Sequence, residues 1–315
     1  MKIEDMILTP DEAFEKYSAN PVDIAIIGGG PAGYSAAINA RTRGRSALIL
    51  SADYKNSYLF RAGIIDNMPG MPGISGADLL ESLREHALSM GAEETRAQVL
   101  MVMPMPIDEK KTIFQVAFGT NIISANTVIL STGVSAFKAF EGEERFLGRG
   151  VSYCATCDGM LYRNKSVAII AKAADALEEA RHLKKIGCKV HFFASAADMK
   201  KWFSDIQEGE FDGLITAASY IIEGETGLSG VKADGKSYPV DGVFILRASI
   251  APTTLAPGIE LIDNYIRTDR SQATSIQGMY AAGDCTGKPL QIAKALGEGL
   301  VAALSADAHI TAVYK

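Results

Sequence analysis

The chain has 315 residues, of which 48% are hydrophobic and 22% charged, so it can bury a sizeable core and is long enough for two domains. Its formal net charge of -6 argues against nucleic acid as a main partner, because binding to phosphates needs a basic face. No stretch approaches the roughly 18–20 apolar residues of a membrane span, and the acidic N-terminus lacks a signal-peptide pattern. We therefore expect a soluble, cytoplasmic protein without a membrane segment.

The first predicted unit is a β-α-β element with a glycine-rich turn. An apolar run over residues 22–28 predicts a strand, the stretch from Pro31 to about Arg43 predicts a helix, and residues 46–50 predict the next strand. The turn between the first strand and the helix reads GGGPAG. In this context the turn predicts a dinucleotide site, and a purely structural glycine-rich connection is the alternative.

The GGGPAG turn fits the pattern G-x-G-x-x-G. The first glycine permits a tight turn, the second lets a pyrophosphate approach the backbone, and the third lets helix and strand pack closely. The helix N-terminus offers free N–H groups and a positive dipole end to the phosphates. Asp53 follows about 20 residues later and is a candidate for binding the ribose. The predicted cofactor-binding residues of the turn are Gly28, Gly30, Pro31, Ala32 and Gly33.

The chain then continues through a looser stretch, three strands and a second β-α-β element. After residues 51–76, which carry glycine and proline, we expect a helix from Gly76 to about Met90. Residues 95–104, 112–118 and 121–131 predict strands of a β-meander laid over the first sheet. A strand, a helix and a strand over 166–171, 175–187 and 189–194 then repeat the outline of the first unit.

The end of the chain predicts a return to the first domain. The segment MYAAGD at 279–284 and a final helix over 289–308 suit the sheet that the glycine turn belongs to. We therefore predict an α/β protein of two Rossmann-like three-layer domains, in which a smaller domain interrupts the first one. Residues 1–147 and 248–315 would form the first domain, and residues 148–247 the inserted domain.

Two of the four cysteines form the pair Cys154-Ala-Thr-Cys157. A zinc site would need a second Cys/His pair, which the chain does not offer, so we expect no metal. A redox pair needs two sulfurs that can bridge and a nearby acid to manage protons, and Asp158 directly follows the pair. Cys188 and Cys285 are predicted to be buried as small hydrophobic residues.

Several segments together resemble the low-molecular-weight thioredoxin reductases over nearly the whole chain. They are GGGPAG at 28–33, IDNMPG at 65–70, STG at 131–133, CATCDG at 154–159 and TSIQGMYAAGDC at 274–285. Of these, CATCDG is the most specific. The resemblance implies a homodimer with FAD in the interrupted domain, and thioredoxin as the substrate.

The resemblance also implies roles for individual residues. The glycine turn would hold the FAD pyrophosphate, Asn67 would contact the flavin side, and the helix N-terminus after residue 290 would face the flavin pyrimidine ring. Cys157 would lie nearest the flavin, Cys154 would attack the thioredoxin disulfide, and Asp158 would shuttle protons. The further residues assigned to FAD binding are Thr132, Gly133, Gly283, Asp284, Gln291, Ile292 and Ala293.

The chain departs from this family where the family binds NADPH. At 171–176 the family carries G-x-G-x-x-A, and this chain reads AKAADA, so alanines replace both glycines. Asp175, at the predicted helix start, would cap that helix and repel a phosphate. Where the family has a His-Arg-Arg run for the 2′-phosphate, residues 191–195 read HFFAS. NADPH binding is therefore disfavoured, and the alternative is a divergent working site in which Lys172 supplies the lost attraction.

A chain without an NADPH site needs another electron donor. Residues 160–202 carry nine Lys or Arg against four Asp or Glu, which would steer an acidic protein, although a solvated helix face is the simpler interpretation. The chain thus resembles the ferredoxin-dependent flavin thioredoxin reductases, and ferredoxin is the predicted donor. The alternatives are an NADPH-dependent reductase with a divergent site, a flavin dithiol oxidase using oxygen, and a non-catalytic flavin-binding protein.

Overall fold

The computed structural model describes residues 3–52, 54, 57–133, 139–153, 155–174, 176–247 and 250–314, apart from the side chains of residues 61, 156 and 157. The chain divides into two compact units, Met1–Ala136 with Ile250–Lys315, and Phe137–Ser249. The sequence predicts the first boundary after residue 147. Residues 139–147 pack within the second unit, where the Phe140 ring lies 5.2 Å from the Tyr220 ring and Glu143 pairs with Arg247.

The helices and strands are numbered in chain order. The helices are α1 (Pro10–Tyr17), α2 (Pro31–Thr42), α3 (Tyr58–Arg61), α4 (Gly76–Ser89), α5 (Glu143–Phe146), α6 (Ala155–Asp158), α7 (Ala176–Lys185), α8 (Ala196–Trp202), α9 (Pro252–Leu255) and α10 (Ile292–Val313). The strands are β1 (Ile7–Leu8), β2 (Val22–Ile27), β3 (Ala47–Ser51), β4 (Ile64–Ile65), β5 (Ile74–Ser75), β6 (Glu93–Arg96), β7 (Val99–Pro106), β8 (Thr112–Phe118), β9 (Asn121–Leu130), β10 (Val151–Ser152), β11 (Ser166–Lys172), β12 (Lys189–Ala194), β13 (Gly213–Thr216), β14 (Tyr220–Gly224), β15 (Leu228–Ala233), β16 (Lys236–Pro239), β17 (Gly242–Arg247), β18 (Leu261–Ile262), β19 (Tyr265–Ile266) and β20 (Met279–Ala281).

The first unit is built on one mixed sheet with the strand order β1-β6-β3-β2-β9-β8-β7, and β20 pairs with β9. Five neighbouring strands of this order, β1, β6, β3, β2 and β9, pair in parallel, and so does β20 with β9. Strands β8 and β7 continue the sheet in antiparallel fashion. The meander predicted to lie over the sheet is therefore part of it. The physical reason is the length of β9, whose first half pairs with β8 and whose second half pairs with β2.

Both faces of this sheet are buried, because β2 is apolar on each side. Ile24 and Ile26 pack towards α2, α4 and α10, whereas Ala25 and Ile27 pack with residues of the meander and of the segment that follows α9. Covering a parallel sheet on both faces is the arrangement that favours near-continuous apolar strands. The result is a three-layer unit.

The second unit has the same plan at a smaller size. Its sheet has the order β10-β17-β11-β12-β13 and every described pairing in it is parallel. One face packs against α7 and the segment after α8, and the other against the three-stranded antiparallel sheet β14-β15-β16. The predicted α/β fold with two Rossmann-like domains is confirmed. Among the described residues, no helix is long and apolar enough to cross a membrane.

Candidate functional site

Three parallel strands bring several of the predicted cofactor-binding segments together in the first unit. Leu130, the last residue of β9, lies opposite Ile27 at the end of β2 and opposite Ala281 at the end of β20. The glycine turn, the segment Ser131–Gly133 and the segment Ala282–Asp284 therefore emerge at the same carboxyl edge of the sheet. In open α/β sheets, ligands bind at this edge.

The glycines of the first turn are required by the space around them. A Cβ atom at Gly28, where φ is +120°, would lie 2.3 Å from the Ser131 carbonyl oxygen, and one at Gly33 would lie 2.0 Å from the Gly28 carbonyl oxygen. The Ser131 hydroxyl donates to the carbonyls of Ile27 and Gly28 at 3.1 and 3.0 Å and so ties the turn to β9. Gly30 is different, because nothing described lies within 4 Å of its added Cβ. This is the position at which a phosphate could approach the backbone.

The start of α2 is open to an anion. Gly30 is its N-cap and supplies no side-chain hydrogen bond, and the first turn, which begins with Pro31 and Ala32, contains no acidic residue. The N–H groups of that turn therefore have no competing carboxylate from their own helix.

The second segment at the edge is a tight turn that carries Asp284. Gly283 has a φ of +88°, and a short 3-10 helix follows over Asp284–Thr286. The Asp284 carboxylate accepts no hydrogen bond from the described residues. Burial raises the pKa of Asp284, the nearby Lys294 charge lowers it, and Glu298 raises it. A partly buried carboxylate without a described donor can accept hydrogen bonds from ligand hydroxyl groups.

Two predicted residues that are far apart in sequence meet at the start of α10. The Asn67 side-chain amide donates to Gln291 Oε1 at 2.9 Å. Gln291 is the N-cap of α10 and makes no capping hydrogen bond with its side chain, and the first turn, with Ile292 and Ala293, contains no acid. This helix N-terminus is therefore available to a ligand with negative charge. Asp53, the predicted ribose ligand, lies outside the described residues.

The cysteine segment belongs to the second unit. Cys154 and the side chain of Cys157 lie outside the described part of the chain, and α6 covers the residues between Cys154 and Gly159. Glu179 of α7 accepts a hydrogen bond from the Ala155 backbone N–H at 2.9 Å. The sequence analysis missed Glu179, because its contact with Ala155 depends on how α7 packs rather than on spacing.

Asp158 lies at the end of α6 and is partly exposed. Burial raises the pKa of Tyr162, and the negative charge of Asp158 raises it further. Because the Cys157 side chain lies outside the described part of the chain, the proton-carrying role of Asp158 stays a prediction.

The two other cysteines are structural. Cys188 and Cys285 are buried and free. Burial raises the pKa of the Cys285 thiol to about 11, and the thiol donates to the carbonyls of Leu130 and Ala282. Within the described part of the chain, no group of acidic, His or Cys side chains is arranged to hold a metal.

The altered turn of the second unit lies between β11 and α7. Ala171, near the end of β11, and Ala173, in the turn, are both buried, and Ala171 belongs to the hydrophobic core that also contains Ala176 and Leu177. The Lys172 ammonium lies 3.9 Å from Asp198 and 5.2 Å from the centre of the Tyr220 ring. Asp175 lies outside the described residues.

The end of β12 also differs from the 2′-phosphate site of the resembled family. Residues 191–194 lie within β12, and Ser195, the first residue after it, is the N-cap of α8. Its hydroxyl donates to Asp198 at 2.7 Å and accepts from the Asp198 N–H. The carboxylate of Asp198 thus lies next to the strand end, where an anionic ligand would need cations.

Comparison with known proteins agrees with this architecture. The profile of the family described as "Pyridine nucleotide-disulphide oxidoreductase" matches residues 22–299. A thioredoxin reductase from Aquifex aeolicus is 32% identical over 93% of this chain and 94% of its own length. A protein named glucosaminate ammonia-lyase, from Pseudomonas fluorescens, is 31% identical over 91% of this chain and 95% of its own length. The crystal structure of a ferredoxin-flavin thioredoxin reductase from Clostridium acetobutylicum matches with a TM-score of 0.83 and 33% identity, covering 94% of this chain and 99% of that one.

The chain therefore belongs to the pyridine nucleotide-disulphide oxidoreductase family. Within it, the chain is a thioredoxin reductase-type flavoprotein disulfide reductase, and the family's cofactor is FAD. The first unit fits this cofactor on three observations: the open space at Gly30, the absence of acids at the starts of α2 and α10, and the Asp284 carboxylate that lacks a described donor. The predicted family, enzyme class and cofactor are confirmed.

Proposed function

We propose that the protein passes electrons from reduced ferredoxin, through FAD and the Cys154–Cys157 disulfide, to thioredoxin. The observation that carries the choice of donor is the turn between β11 and α7. Two positions at which the resembled family has glycine are the buried alanines Ala171 and Ala173, so this segment lacks the residues that permit the tight turn and the close approach of a pyrophosphate to the backbone N–H groups.

The contacts of Lys172 argue against a divergent NADPH site. Its ammonium is paired with Asp198 and lies over the Tyr220 ring, so its charge is already partly balanced. A dinucleotide phosphate in this region would have to compete with the Asp198 carboxylate for that cation. The structural similarity to a ferredoxin-flavin thioredoxin reductase supports the same donor.

Not every cation of the basic segment 160–202 is free to bind a partner protein. Lys172, Arg181 and Lys184 are paired with acids, namely Asp198, Glu210 and Asp212. The six other cations of the segment are exposed and form no ion pair with another described residue: Arg163, Lys165, Lys185, Lys189, Lys200 and Lys201.

Four of these six cations gather at the amino ends of β11 and β12. Lys189 begins β12 opposite Ser166, and its N–H donates to the Lys165 carbonyl. Arg163 adjoins Asn164, whose N–H donates to the carbonyl of Gly187, shortly before β12. Lys185 is the last residue of α7, which leads into β12. We call Arg163, Lys165, Lys185 and Lys189 the basic edge. It would attract an acidic protein such as a ferredoxin.

The proposed reaction assigns the following steps to the chain. FAD, when bound, supplies a centre that accepts electrons singly or in pairs, which suits a one-electron donor. Two electrons and two protons convert the Cys154–Cys157 disulfide into two thiols. The Cys154 thiolate attacks the thioredoxin disulfide, and the Cys157 thiolate then attacks the Sγ atom of Cys154, which releases reduced thioredoxin. Asp158 carries protons to and from the pair.

The proposal also assigns the expected residues and the assembly. Gly28, Gly30, Gly33, Thr132, Gly133, Gly283, Asp284 and the start of α10 would hold FAD, with Asn67 beside Gln291. The enzyme would act as a homodimer in the cytoplasm, where thiols are kept reduced.

An anaerobic titration followed at the flavin absorption band tests the donor. We expect NADPH to leave the band unchanged, reduced ferredoxin to bleach it, and oxidised thioredoxin to restore it. Rapid bleaching by NADPH would refute the proposal. Peroxide production from a dithiol without ferredoxin would instead favour an oxidase. The variant Cys154→Ser should still be bleached by ferredoxin but should no longer reduce thioredoxin, and a non-catalytic flavoprotein would behave the same with and without this change.

A further inference from the structure

A lysine and a glutamate on α10 hold the turn that carries Asp284. The Lys294 ammonium donates to the carbonyls of Gly283 and Gly287, each at 2.8 Å, and to the Thr286 hydroxyl at 3.0 Å. Glu298 accepts from the Gly283 N–H at 2.8 Å and from the Thr286 hydroxyl at 2.9 Å. The two side chains thus bond to the turn at its beginning, its middle and its end.

The two side chains also pair with each other and are largely buried. Lys294 Nζ lies 3.1 Å from Glu298 Oε2, one helical turn away, and their side chains are 15% and 20% exposed. Ion pairs of a lysine that is exposed to solvent contribute little to stability, because water screens the charges. Here several charge-assisted hydrogen bonds end on one short turn in a mostly buried place, where each is stronger.

The backbone of the turn needs such support. Gly283 has φ and ψ of +88° and -150°, and Gly287 has 120° and -174°. A Cβ atom at Gly283 would lie 2.9 Å from the Ala32 side chain on α2, so the turn also packs against the helix that follows the first glycine turn. A shift of the turn would therefore move Asp284 relative to the predicted phosphate-binding segment.

We propose that Lys294 and Glu298 are positioning residues of the FAD site, which fix the Gly283–Gly287 turn so that the Asp284 carboxylate is held in place to bind the cofactor. The pair acts on Asp284 in two ways. It holds the backbone on both sides of the residue, and its two charges act on the carboxylate with opposite signs. The inference rests on FAD as the cofactor and is independent of the electron donor.

Among the described residues, Lys294 and Glu298 are the charged groups that act on the pKa of Asp284. The positive charge of Lys294 lowers the pKa of Asp284 and the negative charge of Glu298 raises it, while burial is the largest cause of its raised value. The turn itself contributes the buried Cys285 thiol, and β19 contributes the Tyr265 ring against Gly287. The first turn of α2 contributes no acid.

These charges predict the direction in which two substitutions shift the pH dependence of FAD binding. An ionised Asp284 accepts hydrogen bonds from cofactor hydroxyl groups, so FAD affinity should fall as the pH drops through the pKa of Asp284. Lys294→Met removes the charge that lowers this pKa, so the fall should begin at a higher pH. Glu298→Gln removes the charge that raises it, so the fall should begin at a lower pH.

The experiment measures the affinity of the apoprotein for FAD, by quenching of flavin fluorescence, as a function of pH. We expect Lys294→Met to weaken FAD binding near neutral pH by about tenfold or more, because the turn loses its charge-assisted bonds. We expect the pH midpoints of the two variants to move in opposite directions. Lys294→Arg, which keeps the charge, should leave the midpoint near that of the unchanged protein.

A matched control lies directly after this turn. Lys288 is exposed, and Lys288→Met removes one positive charge without touching the bonds to the turn. It should leave the affinity and the midpoint unchanged. Equal midpoints for Lys294→Met and Glu298→Gln, or a loss of affinity no larger than that of Lys288→Met, would overturn the proposal. Neither result would bear on whether NADPH or ferredoxin reduces the flavin.

Discussion

Glu143 is fully buried in the second unit, and its carboxylate is surrounded by polar partners. It pairs with the Arg247 guanidinium at 2.5 and 2.9 Å, accepts from the Tyr153 hydroxyl at 2.8 Å and accepts from the Phe140 N–H at 2.8 Å. Tyr153 directly precedes Cys154. The carboxylate therefore ties the strand that leads to the cysteine pair to the end of β17.

Removing one partner of this pair should destabilise the protein strongly. Glu143→Ala leaves the Arg247 charge buried without its carboxylate, and we expect the free energy of unfolding to fall by about 3–5 kcal/mol. Denaturant unfolding followed by circular dichroism measures this. In Glu143→Gln, which keeps an acceptor, the loss should be smaller.

An exposed ion pair provides the control for Glu143. Arg267 and Glu260 form a pair whose side chains are 61% and 55% exposed. Arg267→Ala should cost less than about 1 kcal/mol, because solvent screens the pair. If Glu143→Ala cost no more than this control, the buried carboxylate would not be the tie that its contacts indicate.

At the scale of whole elements, the sequence predicts the β-α-β units well and other features poorly. The strands and helices around GGGPAG and around residues 166–194 are predicted to within a few residues, because apolar runs and turn residues are local signals. The antiparallel sheet β14-β15-β16 is not predicted, and the meander is predicted as a separate layer. Both depend on pairing between strands, which a single sequence does not display.

The residues of the candidate site likewise fall into those that the sequence predicts and those that it misses. The glycines can be predicted, since a backbone restricted by close contacts, as at Gly28 and Gly33, needs that residue type. Glu179, Lys294 and Glu298 are missed, because a charged residue on a helix is ordinarily solvated. For the α10 pair, the sequence does contain a usable signal: two opposite charges four residues apart, directly after a predicted cofactor turn.

In the altered turn between β11 and α7, restoring the two glycines alone should not create an NADPH site. We expect Ala171→Gly with Ala173→Gly to leave NADPH binding as weak as before, because Lys172 stays paired with Asp198. Adding Ser195→Arg and Asp198→Asn, which supplies a cation and removes the acid, should give measurable binding. NADPH fluorescence titration and flavin bleaching are the measurements.

Ala174→Gly serves as the control for this turn, since Ala174 is exposed and lies between the altered positions and α7. It should change neither NADPH binding nor the reaction with ferredoxin. Rapid bleaching of the double glycine variant by NADPH would mean that the methyl groups alone exclude the nucleotide, and that the Lys172–Asp198 pair is not a barrier.

For the whole molecule, the net charge of -6 conceals an uneven distribution. The exposed cations of the basic edge lie at the opposite end of β11 and β12 from the altered turn, beside the segment that follows the cysteine pair. A protein with a negative overall charge still attracts an acidic partner if its cations are concentrated on one surface. Such attraction acts mainly on the rate of association and weakens with salt.

Reversing charges on the basic edge should therefore slow the reaction with ferredoxin. For Lys185→Glu with Lys189→Glu, we expect kcat/KM for ferredoxin to fall by about tenfold at low ionic strength and its dependence on salt to decrease. The matched control, Lys232→Glu with Lys236→Glu, makes the same change in net charge on β15 and β16 and should have a much smaller effect. Equal losses in the two variants would indicate a response to net charge rather than to this surface. A loss confined to the reaction with thioredoxin would assign the basic edge to that partner instead, because the acidic protein that it attracts would then be the electron acceptor.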